Sequence, residues 1–265
     1  MVDCPAQGVD VSISLVCHNQ RHDLERLLPS LLPAAQAVRS EILLVDNRST
    51  DGSTEFVQEQ FPQVAVLCNR AVAGFGENHN LNLQRAKGRY FVIMNCDMTV
   101  ESAVFRCLQD YMNLNPDIGI VSPKILNEDG SIQGLNKRYP TIVDLFLRRF
   151  VPKPIRPFFQ VRLDYYEMRD VGYEQPCDVP FLSGAFMFCR TDVLRSVGGF
   201  DPGYFLYFED VDLCRRVQYT HRTSYCPCAS VTHYWRRSAH SDLRYSAYFV
   251  KSAVRYFSRW GVRLW

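Results

Sequence analysis

The sequence lacks the features that mark membrane-spanning and exported proteins. No apolar run reaches the ~18 residues expected of a membrane span. The N-terminal stretch MVDCPAQGVDVSISLV carries an acidic residue early and has no basic segment ahead of its apolar part. Export signals begin with such a basic segment. We therefore expect no signal peptide and a cytoplasmic location.

Cysteine is plentiful, with ten residues, but the spacing that marks zinc sites is missing. Cys226 and Cys228 are one residue apart, and no second cysteine pair or matching histidine spacing accompanies them, which argues against a zinc site. Other cysteines, such as Cys17 and Cys189, fall inside apolar segments. Without an export signal, we expect the cysteines to be reduced thiols in the core.

The sequence also has no repeat of fixed period and no low-complexity segment. Its 265 residues, 47% hydrophobic and 22% charged, suffice for a substantial core. The net charge of +2 is uneven: residues 136–170 hold eight Lys or Arg against four acids, and residues 234–265 hold seven against one. These basic, aromatic segments could bind an anionic membrane surface. The acidic remainder and the lack of a recognised module argue against nucleic acid.

Apolar strands alternate with helices through the first half. The predicted strands are 11–19, 41–47, 64–69, 89–97 and 118–126. The predicted helices are 23–38, bent or broken near Pro29 and Pro33, then 53–61 with Ser53 as a candidate cap, 74–88 and 101–113. This alternation predicts an α/β fold with a mainly parallel sheet covered by helices on both faces.

The second half is less regular. Residues 136–170, rich in Pro, Arg and aromatics, predict an irregular excursion, and residues 179–190 predict a strand interrupted by Ser183 and Gly184. A loop then enters a helix near Glu209. We expect one domain over residues 1–235 and a basic aromatic C-terminal helix within 236–265. That helix either packs on the domain or docks on a membrane.

Polar side chains follow four of the predicted strands. They are Cys17, His18 and Asn19, then Asp46 and Asn47, then Asn69, then Asn95, Cys96 and Asp97. Ligands of open α/β sheets bind at the carboxyl ends of the strands. We therefore expect a binding site where these groups converge.

Single residues leave alternatives open. Asp46 is either an acceptor for a nucleobase imide N–H or a turn acid. Asp97 is either a ligand of a divalent cation that holds a diphosphate or a helix cap. His233 is either a ligand or a packed residue.

Two further segments carry candidate chemistry. GFGENHN lacks the third glycine of a dinucleotide fingerprint, but a glycine-opened helix can still receive a phosphate. Glu209 and Asp210 follow the aromatic stretch YFLYF, which could desolvate a carboxylate and tune it as a general base, although acids at a helix start are also ordinary caps. Asp212 faces elsewhere on the helix, so we interpret it as structural.

These motifs as a set resemble the inverting glycosyltransferases of family 2, which have the GT-A fold. SLVCHN resembles the family's first strand, VDNRSTDGS its Val-Asp-(Asp/Asn)-x-Ser-x-Asp-Gly-Ser signature, and GFGENHNLNL its Gly-Phe-(Gly/Ala)-x-x-x-Asn loop. FLSGAFMFCRTDVLRSVGGFDPGYFLYFEDVDLCRRV resembles the acceptor loop and the Glu-Asp catalytic motif. The resemblance covers roughly residues 10 to 240, and bacterial rhamnosyltransferases of O-antigen and cell-wall assembly are the branch most similar to it.

The resemblance implies roles for the matching residues. Asp210 would be the general base, and Asp97 and His233 would bind Mg²⁺ or Mn²⁺. Acceptor binding would involve Ser183, Gly184 and Glu209. The nucleotide sugar would contact Cys17, His18, Asn19, Asp46, Gly74, Gly76, Asn80 and Asp97. Asn95 departs from the family pattern, which has an acid there, and leaves the metal with fewer carboxylates.

The implied reaction is inverting transfer of L-rhamnose from dTDP-rhamnose to a hydroxyl of a glycan or a polyprenyl-linked saccharide, and the implied partners include the cytoplasmic surface of the inner membrane. The alternatives are a UDP-sugar donor carrying galactofuranose, galactose or GlcNAc, and an inactive nucleotide-sugar-binding scaffold. A nucleotidyltransferase would need a Gly-rich basic segment near the first strand, and CHNQRHD does not supply one.

Overall fold

We analysed a computed structural model that describes residues 8–235 and 243–265. The first seven residues, which open the stretch examined for an export signal, lie outside the described residues. The predicted boundary between 235 and 236 also lies at the edge of an undescribed segment, 236–242.

The first half of the chain alternates between strand and helix, as predicted, except that two strands follow each other before the last helix. Its elements are β1 (Val11–Cys17), α1 (Arg21–Gln36), β2 (Ser40–Asp46), α2 (Ser53–Gln60), β3 (Val64–Cys68), α3 (Phe75–Arg85), β4 (Tyr90–Met94), β5 (Met98–Val100) and α4 (Val104–Leu114). The helix α1 continues through Pro29 and Pro33, where we predicted a bend or a break. The N-cap position of α2 is the left-handed Gly52, and Ser53, the predicted cap, is the first helical residue.

The second half contains the shorter strands and the helices that cover the site. Its elements are β6 (Ile118–Leu126), β7 (Asn136–Lys137), α5 (Ile142–Phe150), a 3₁₀ helix (Lys153–Phe159), α6 (Gln160–Tyr166), β8 (Cys177–Asp178), β9 (Phe181–Leu182), β10 (Phe186–Arg190), α7 (Thr191–Ser196), α8 (Glu209–Val217), β11 (Arg222–His233) and α9 (Leu243–Trp260).

Within the described residues, nine strands form one mixed sheet. Its order is β3-β2-β1-β4-β10-β6-β11-β5, with β8 pairing β11. The pairs β3-β2, β2-β1 and β1-β4 are parallel, whereas β10 runs antiparallel to both β4 and β6. The carboxyl ends of β1, β2, β3 and β4 therefore meet at one edge. Separately, β7 and β9 form a two-stranded antiparallel sheet.

Apolar side chains cover both faces of the sheet. Alternate residues of β4 divide between two clusters: Val92 and Met94 lie in one, Phe91 and Ile93 in the other. This is the period-2 alternation of a strand buried on both faces. The first cluster is completed by α1 and α4, and the second by α8 and α9.

Residues 136–170 differ from the prediction of an irregular excursion, because most of them are helical. Thr141 and Asp144 form a capping box that starts α5. Arg162 of α6 holds the buried Asp144 at 2.7 Å. This local polar network fixes two helices in a proline-rich segment whose composition suggested loops.

The cysteines also differ from the prediction in one respect. Cys107 of α4 and Cys228 of β11 form a disulfide, with Cα atoms 6.2 Å apart, because α4 packs on β11. The expectation of reduced thiols throughout is wrong for these two. The other cysteines of the described part are free: Cys17, Cys68, Cys96, Cys177, Cys189, Cys214 and Cys226.

The helix α9 packs against the domain. Its Ser252, Tyr256 and Phe257 are buried. Over the residues that the structure describes, no helix is both long and apolar enough to cross a membrane.

Candidate active site

The polar residues that follow the parallel strands meet at one edge of the sheet, as predicted. Cys17 and Asp46 are register partners at the ends of β1 and β2. The backbone N–H of Asn69 donates to the carbonyl of Asp46 at 2.8 Å, and the side chain of Asn69 donates to that of Asn47 at 3.1 Å. Cys96 donates its thiol hydrogen to the carbonyl of Val16. Four strand ends thus share one connected network.

Ser49 organises the part of this edge predicted to hold the nucleoside. Its N–H donates to both carboxylate oxygens of Asp46 at 3.2 Å, and its hydroxyl accepts from the N–H of Asn19 at 2.9 Å. Asn19 has the left-handed φ of 54°. His18 Nδ1 lies 2.7 Å from the carbonyl of Asn47. A carbonyl only accepts, so Nδ1 carries the hydrogen. Ser49, the residue that connects Asp46 to Asn19, was not identified from the sequence.

Gly74, Gly76 and Asn80 lie against the 199–205 segment. A Cβ on Gly76 would come within 2.5 Å of Phe200, and one on Gly74 within 2.8 Å of the Phe205 backbone. The Asn80 amide is fully engaged, donating to the Phe200 carbonyl at 2.8 Å and accepting from its N–H at 2.9 Å. Close packing onto the loop that precedes α8 therefore explains these three residues, and their contact with a nucleotide stays a prediction.

Asp97 and His233 come together although they are far apart in sequence. Asp97 Oδ1 lies 3.2 Å from His233 Nε2 and has no hydrogen-bond partner in the described residues although it is buried. Burial raises the pKa of Asp97, but the neighbouring His233 and Asn95 outweigh it and hold that pKa below its usual value. Asn95 Nδ2 lies 3.5 Å from the same nitrogen of His233.

Gln133 determines how His233 presents its ring. Gln133 donates its amide N–H to Asn127 at 2.8 Å, so its amide oxygen faces His233 Nδ1 at 2.6 Å. That oxygen only accepts, so Nδ1 carries a hydrogen and Nε2 is the nitrogen that faces Asp97. A proton on Nε2 would pair His233 with Asp97, and a divalent cation in place of that proton would bind both side chains.

The chemistry of this donor set fits a divalent cation. A carboxylate oxygen and an imidazole nitrogen are ordinary ligands of Mn²⁺, and a carboxylate suits Mg²⁺. Within residues 8–235 and 243–265, no three His, Cys, Asp or Glu side chains come together as a metal site. The two side chains would therefore need oxygen ligands from a substrate or water. A cavity of about 350 Å³ opens beside His233, lined in part by Asn127 and Gln133.

Asp210 lies in the first turn of α8, behind a strained turn. Tyr207 and Phe208 have φ values of 71° and 67°, a conformation that costs roughly 1–3 kcal/mol for each such residue. Asp210 accepts from the N–H of Gly184 at 3.1 Å and of Val211 at 2.9 Å. Burial raises the pKa of Asp210, and the charge of Lys137 and these N–H groups oppose that rise.

Glu209 differs from its neighbour in environment. It is buried, and its Oε2 has no partner in the described residues. Burial, followed by the charge of Asp210, raises the pKa of Glu209 well above its usual value. Two adjacent carboxylates resist joint ionisation, so we assign the proton of the pair to Glu209 and the charge to Asp210. Asp212, interpreted as structural, is fully buried and paired with Arg216 at 2.8 Å.

A three-residue turn, Ser183 to Ala185, joins the two carboxylate centres. The N–H of Gly184 holds Asp210, and the carbonyl of Ala185 accepts from the N–H of Asn95 at 3.0 Å. The predicted break between β9 and β10 is therefore the bridge from the candidate metal ligands to the candidate base. A carboxylate base and a cation site connected by one short turn suit group transfer from an activated phosphate ester.

The sequence of the chain matches the family described as Glycosyl transferase family 2 over residues 12–198. It is 30% identical over 231 residues to the N-acetylglucosaminyl-diphospho-decaprenol L-rhamnosyltransferase of Mycobacterium tuberculosis (strain CDC 1551 / Oshkosh), covering 83% of this chain and 74% of that protein. It is 26% identical over 267 residues to the Rhamnosyltransferase WbbL of Escherichia coli (strain K12), covering 94% of this chain and 93% of that protein.

A solved structure supports the fold. The structure of GalNAc-T7 with UDP, GalNAc and Mn²⁺ superposes with a TM-score of 0.66 at 17% identity, over 96% of this chain and 48% of that one. This likeness confirms the predicted mixed α/β GT-A architecture. The family match, which spans more than half the chain, confirms the predicted class of enzyme. The protein is a glycosyltransferase and belongs to glycosyl transferase family 2.

Proposed function

We propose that the protein is an inverting glycosyltransferase that moves L-rhamnose from dTDP-rhamnose to a hydroxyl of a glycan or a polyprenyl-linked saccharide. The relatives reported above are rhamnosyltransferases by name, which supports the sugar. The observation that carries the proposal is the Ser183–Ala185 turn, which connects Asp210 to Asn95 and so to the Asp97–His233 pair.

The donor would occupy the carboxyl edge of the sheet. Asp46 would accept the N3–H of the base, and Cys17, His18 and Asn19 would line the nucleoside pocket. Gly74, Gly76 and Asn80 would act through the loop that they hold in place. Asp97 and His233 would bind Mg²⁺ or Mn²⁺, which when bound offsets the negative charge that grows on the leaving nucleoside diphosphate.

The acceptor would enter between Asp210 and the Ser183–Ala185 turn. Asp210 would take the proton of the acceptor hydroxyl, and the hydroxyl oxygen would form its bond to the anomeric carbon as the bond to the diphosphate breaks on the opposite face. Configuration is thereby inverted. Glu209, as the protonated partner, would help to bind the acceptor without adding a second negative charge.

A UDP-sugar donor and an inactive nucleotide-sugar-binding scaffold remain the alternatives. Calorimetric titration with dTDP, UDP and dTDP-rhamnose, with and without Mn²⁺, separates them. We expect Mn²⁺-dependent binding that favours the thymidine compounds. Tighter binding of UDP would change the proposed donor to a UDP-sugar, and nucleotide binding without release of nucleoside diphosphate from any donor would support the scaffold.

Catalysis is tested in the same preparation. With dTDP-rhamnose and N-acetylglucosaminyl-diphospho-decaprenol as probes, Asp210→Asn should lower the rate of dTDP release by roughly 10²–10⁴ while leaving donor binding intact. Asp110→Asn, an exposed α4 residue paired with Arg106, is the matched control. Near-normal turnover by Asp210→Asn would reject Asp210 as the base.

The segment 136–170 and the C-terminal residues would place the enzyme against an anionic membrane surface. Large apolar side chains are exposed on this side: Phe146, Ile155, Phe158, Val161, Leu264 and Trp265. Backbone N–H groups of Ile142 and Val143 donate to the carbonyls of Arg263 and Leu264, so these elements form one continuous surface. A lipid-linked acceptor would be presented there.

A further inference from the structure

The strand β7 carries a buried lysine to the acceptor side of the site. Lys137 is only 8% exposed, and its Nζ lies 5.1 Å from the centre of the Phe181 ring. In the two-stranded sheet, Lys137 is the register partner of Phe181. Phe181 is three residues before Gly184, whose N–H holds Asp210. The register therefore anchors the ammonium group beside the turn that orients the candidate base.

This buried ammonium group has no ion-pair partner among the described residues, and it lies against the aromatic face of Phe181. Burying an ammonium group without a close counter-ion is unfavourable, so such groups are rare outside functional sites. Burial lowers the pKa of Lys137 to about 7, and Arg148 of α5 adds to this, whereas Asp210 and Glu167 oppose it.

The groups around Asp210 differ in how they affect its protonation. Glu209 is adjacent to Asp210 and Tyr166 of α6 lies close to it, but neither is cationic. Lys137 is the largest influence that favours the ionised form of Asp210, and burial is the largest that disfavours it. Burial alone favours the protonated form of Asp210, and a protonated carboxyl group cannot accept a proton from a hydroxyl.

We propose that Lys137 is a positioning residue that keeps Asp210 as a carboxylate until the acceptor hydroxyl arrives. The inference rests on the proposed role of Asp210 as base. Because Lys137 lies against the Phe181 ring and makes no direct ion pair among the described residues, it favours the carboxylate without occupying the oxygen that receives the proton. When Asp210 takes up the proton, it becomes neutral and the charge of Lys137 is left uncompensated. The same lysine therefore limits how basic Asp210 can be.

The pH dependence of Asp210 follows from the charge of Lys137, which is present below about pH 7 and is lost above it. Replacing Lys137 by methionine, which has a similar shape, should raise the midpoint at which Asp210 titrates by about one pH unit. On the acidic side of the profile, kcat/KM should fall about tenfold. Above about pH 8, where Lys137 is neutral, Lys137→Met should match the unsubstituted enzyme.

Two measurements test this. The first follows the ¹³C carboxyl signal of Asp210 in protein labelled at aspartate, assigned by its loss in Asp210→Asn. The midpoint should rise in Lys137→Met and stay low in Lys137→Arg. The second is the pH profile of kcat/KM with the donor and acceptor probes named above. Lys124→Met, a partly exposed lysine paired with Glu174, is the matched control and should change neither readout.

The outcomes are distinct. An unchanged Asp210 midpoint in Lys137→Met, or a loss of activity by the same factor at every pH, would overturn the proposal, since packing or substrate binding alone would give that result. If Lys137→Met does not fold, Lys137→Gln takes its place. The carboxyl titration needs no substrate, so an inactive parent enzyme would count against the proposed function without affecting the measurement on Lys137.

Discussion

At the scale of single residues, the site depends on side chains that set the protonation of others. Gln133 fixes the hydrogen of His233 on Nδ1, and Glu209 takes the proton of the acidic pair, leaving the charge on Asp210. Neither effect needs a direct contact with substrate. Each decides whether a predicted ligand or base has its lone pair available.

The role of Gln133 is open to direct test. Gln133→Leu removes the acceptor for His233 Nδ1–H, so the ring loses its fixed tautomer and orientation. We expect Mn²⁺ affinity in the presence of dTDP, measured by calorimetry, to fall roughly 10–100-fold. Gln160→Leu, on the exposed face of α6, is the control for the same substitution. Unchanged Mn²⁺ affinity in Gln133→Leu would exclude His233 as a metal ligand.

The sequence predicted some of these residues and missed others for a physical reason. Asp46, Asp97 and Asp210 follow or begin regular elements, so hydrophobic periodicity places them at an edge. Gln133 and Lys137 lie on a loop and a two-residue strand, where no periodicity exists. The basic composition around Lys137 suggested an irregular segment that could bind an anionic membrane surface, whereas tertiary packing buries Lys137.

At the scale of elements, α9 supports the Tyr207–Phe208 turn that precedes the candidate base. Phe249 and Tyr256 of α9 pack on Phe208, and Ser252 donates to the carbonyl of Leu206 at 2.8 Å. Arg255 and Arg259 both pair with Asp201, at 2.9 and 3.1 Å. Part of the positive charge of this helix, predicted to be basic and aromatic, thus holds the loop before α8. We infer that these contacts offset the strain of the left-handed Tyr207 and Phe208.

A single hydrogen bond tests this support. Trp260 Nε1 donates to Asp212 Oδ1 at 2.9 Å, two residues beyond the candidate base. Trp260→Phe leaves the buried Asp212 with one partner fewer, which typically costs about 1–3 kcal/mol. We expect a lower thermal midpoint and a lower kcat, with dTDP affinity unchanged because the nucleotide edge lies elsewhere on the sheet.

The control is Trp265→Phe, at a tryptophan that is 77% exposed, which should behave like the parent enzyme. If Trp260→Phe leaves both the thermal midpoint and kcat unaltered, α9 does not support the Tyr207–Phe208 turn.

Some strands and helices could be predicted from the sequence and others could not, and the residue pattern of each explains the difference. Strands buried on both faces, such as β1 and β4, were predicted within a few residues, because continuous apolar runs mark them. The strand β11 was not predicted over its length. It changes register between Tyr225 and Ser230 as it crosses from β8 to β5, so its polar and apolar residues follow no single pattern. In α5 and α6, capping and ion pairing outweighed the signal of the prolines between them.

At the scale of the whole molecule, charge and exposed apolar area fall on the same side. Residues 138–165 contribute six Lys or Arg and two acids, and residues 243–265 contribute five basic residues and no acid. Phe158 and Val161 are 85% and 86% exposed, more than Val250 and Val254 of α9, which are 57% and 62% exposed. Since much of the positive charge of α9 is paired with Asp201, the proposed membrane contact should rest on the 3₁₀ helix and α6.

This distinction can be measured by flotation with vesicles of phosphatidylglycerol and phosphatidylcholine. Burying a side chain such as Phe or Val contributes roughly 1.5–3 kcal/mol, so the double substitution Phe158→Ser and Val161→Ser should weaken binding about tenfold or more. Val254→Ser, at an exposed valine of α9, is the matched control and should bind vesicles as the parent does.

Added salt should weaken the vesicle binding of the parent and of both variants, because attraction to the anionic surface is screened within about 10 Å at 0.1 M. Loss of vesicle binding in Val254→Ser alone would show that α9 makes the membrane contact. Undiminished vesicle binding in every variant would show that neither surface binds the membrane.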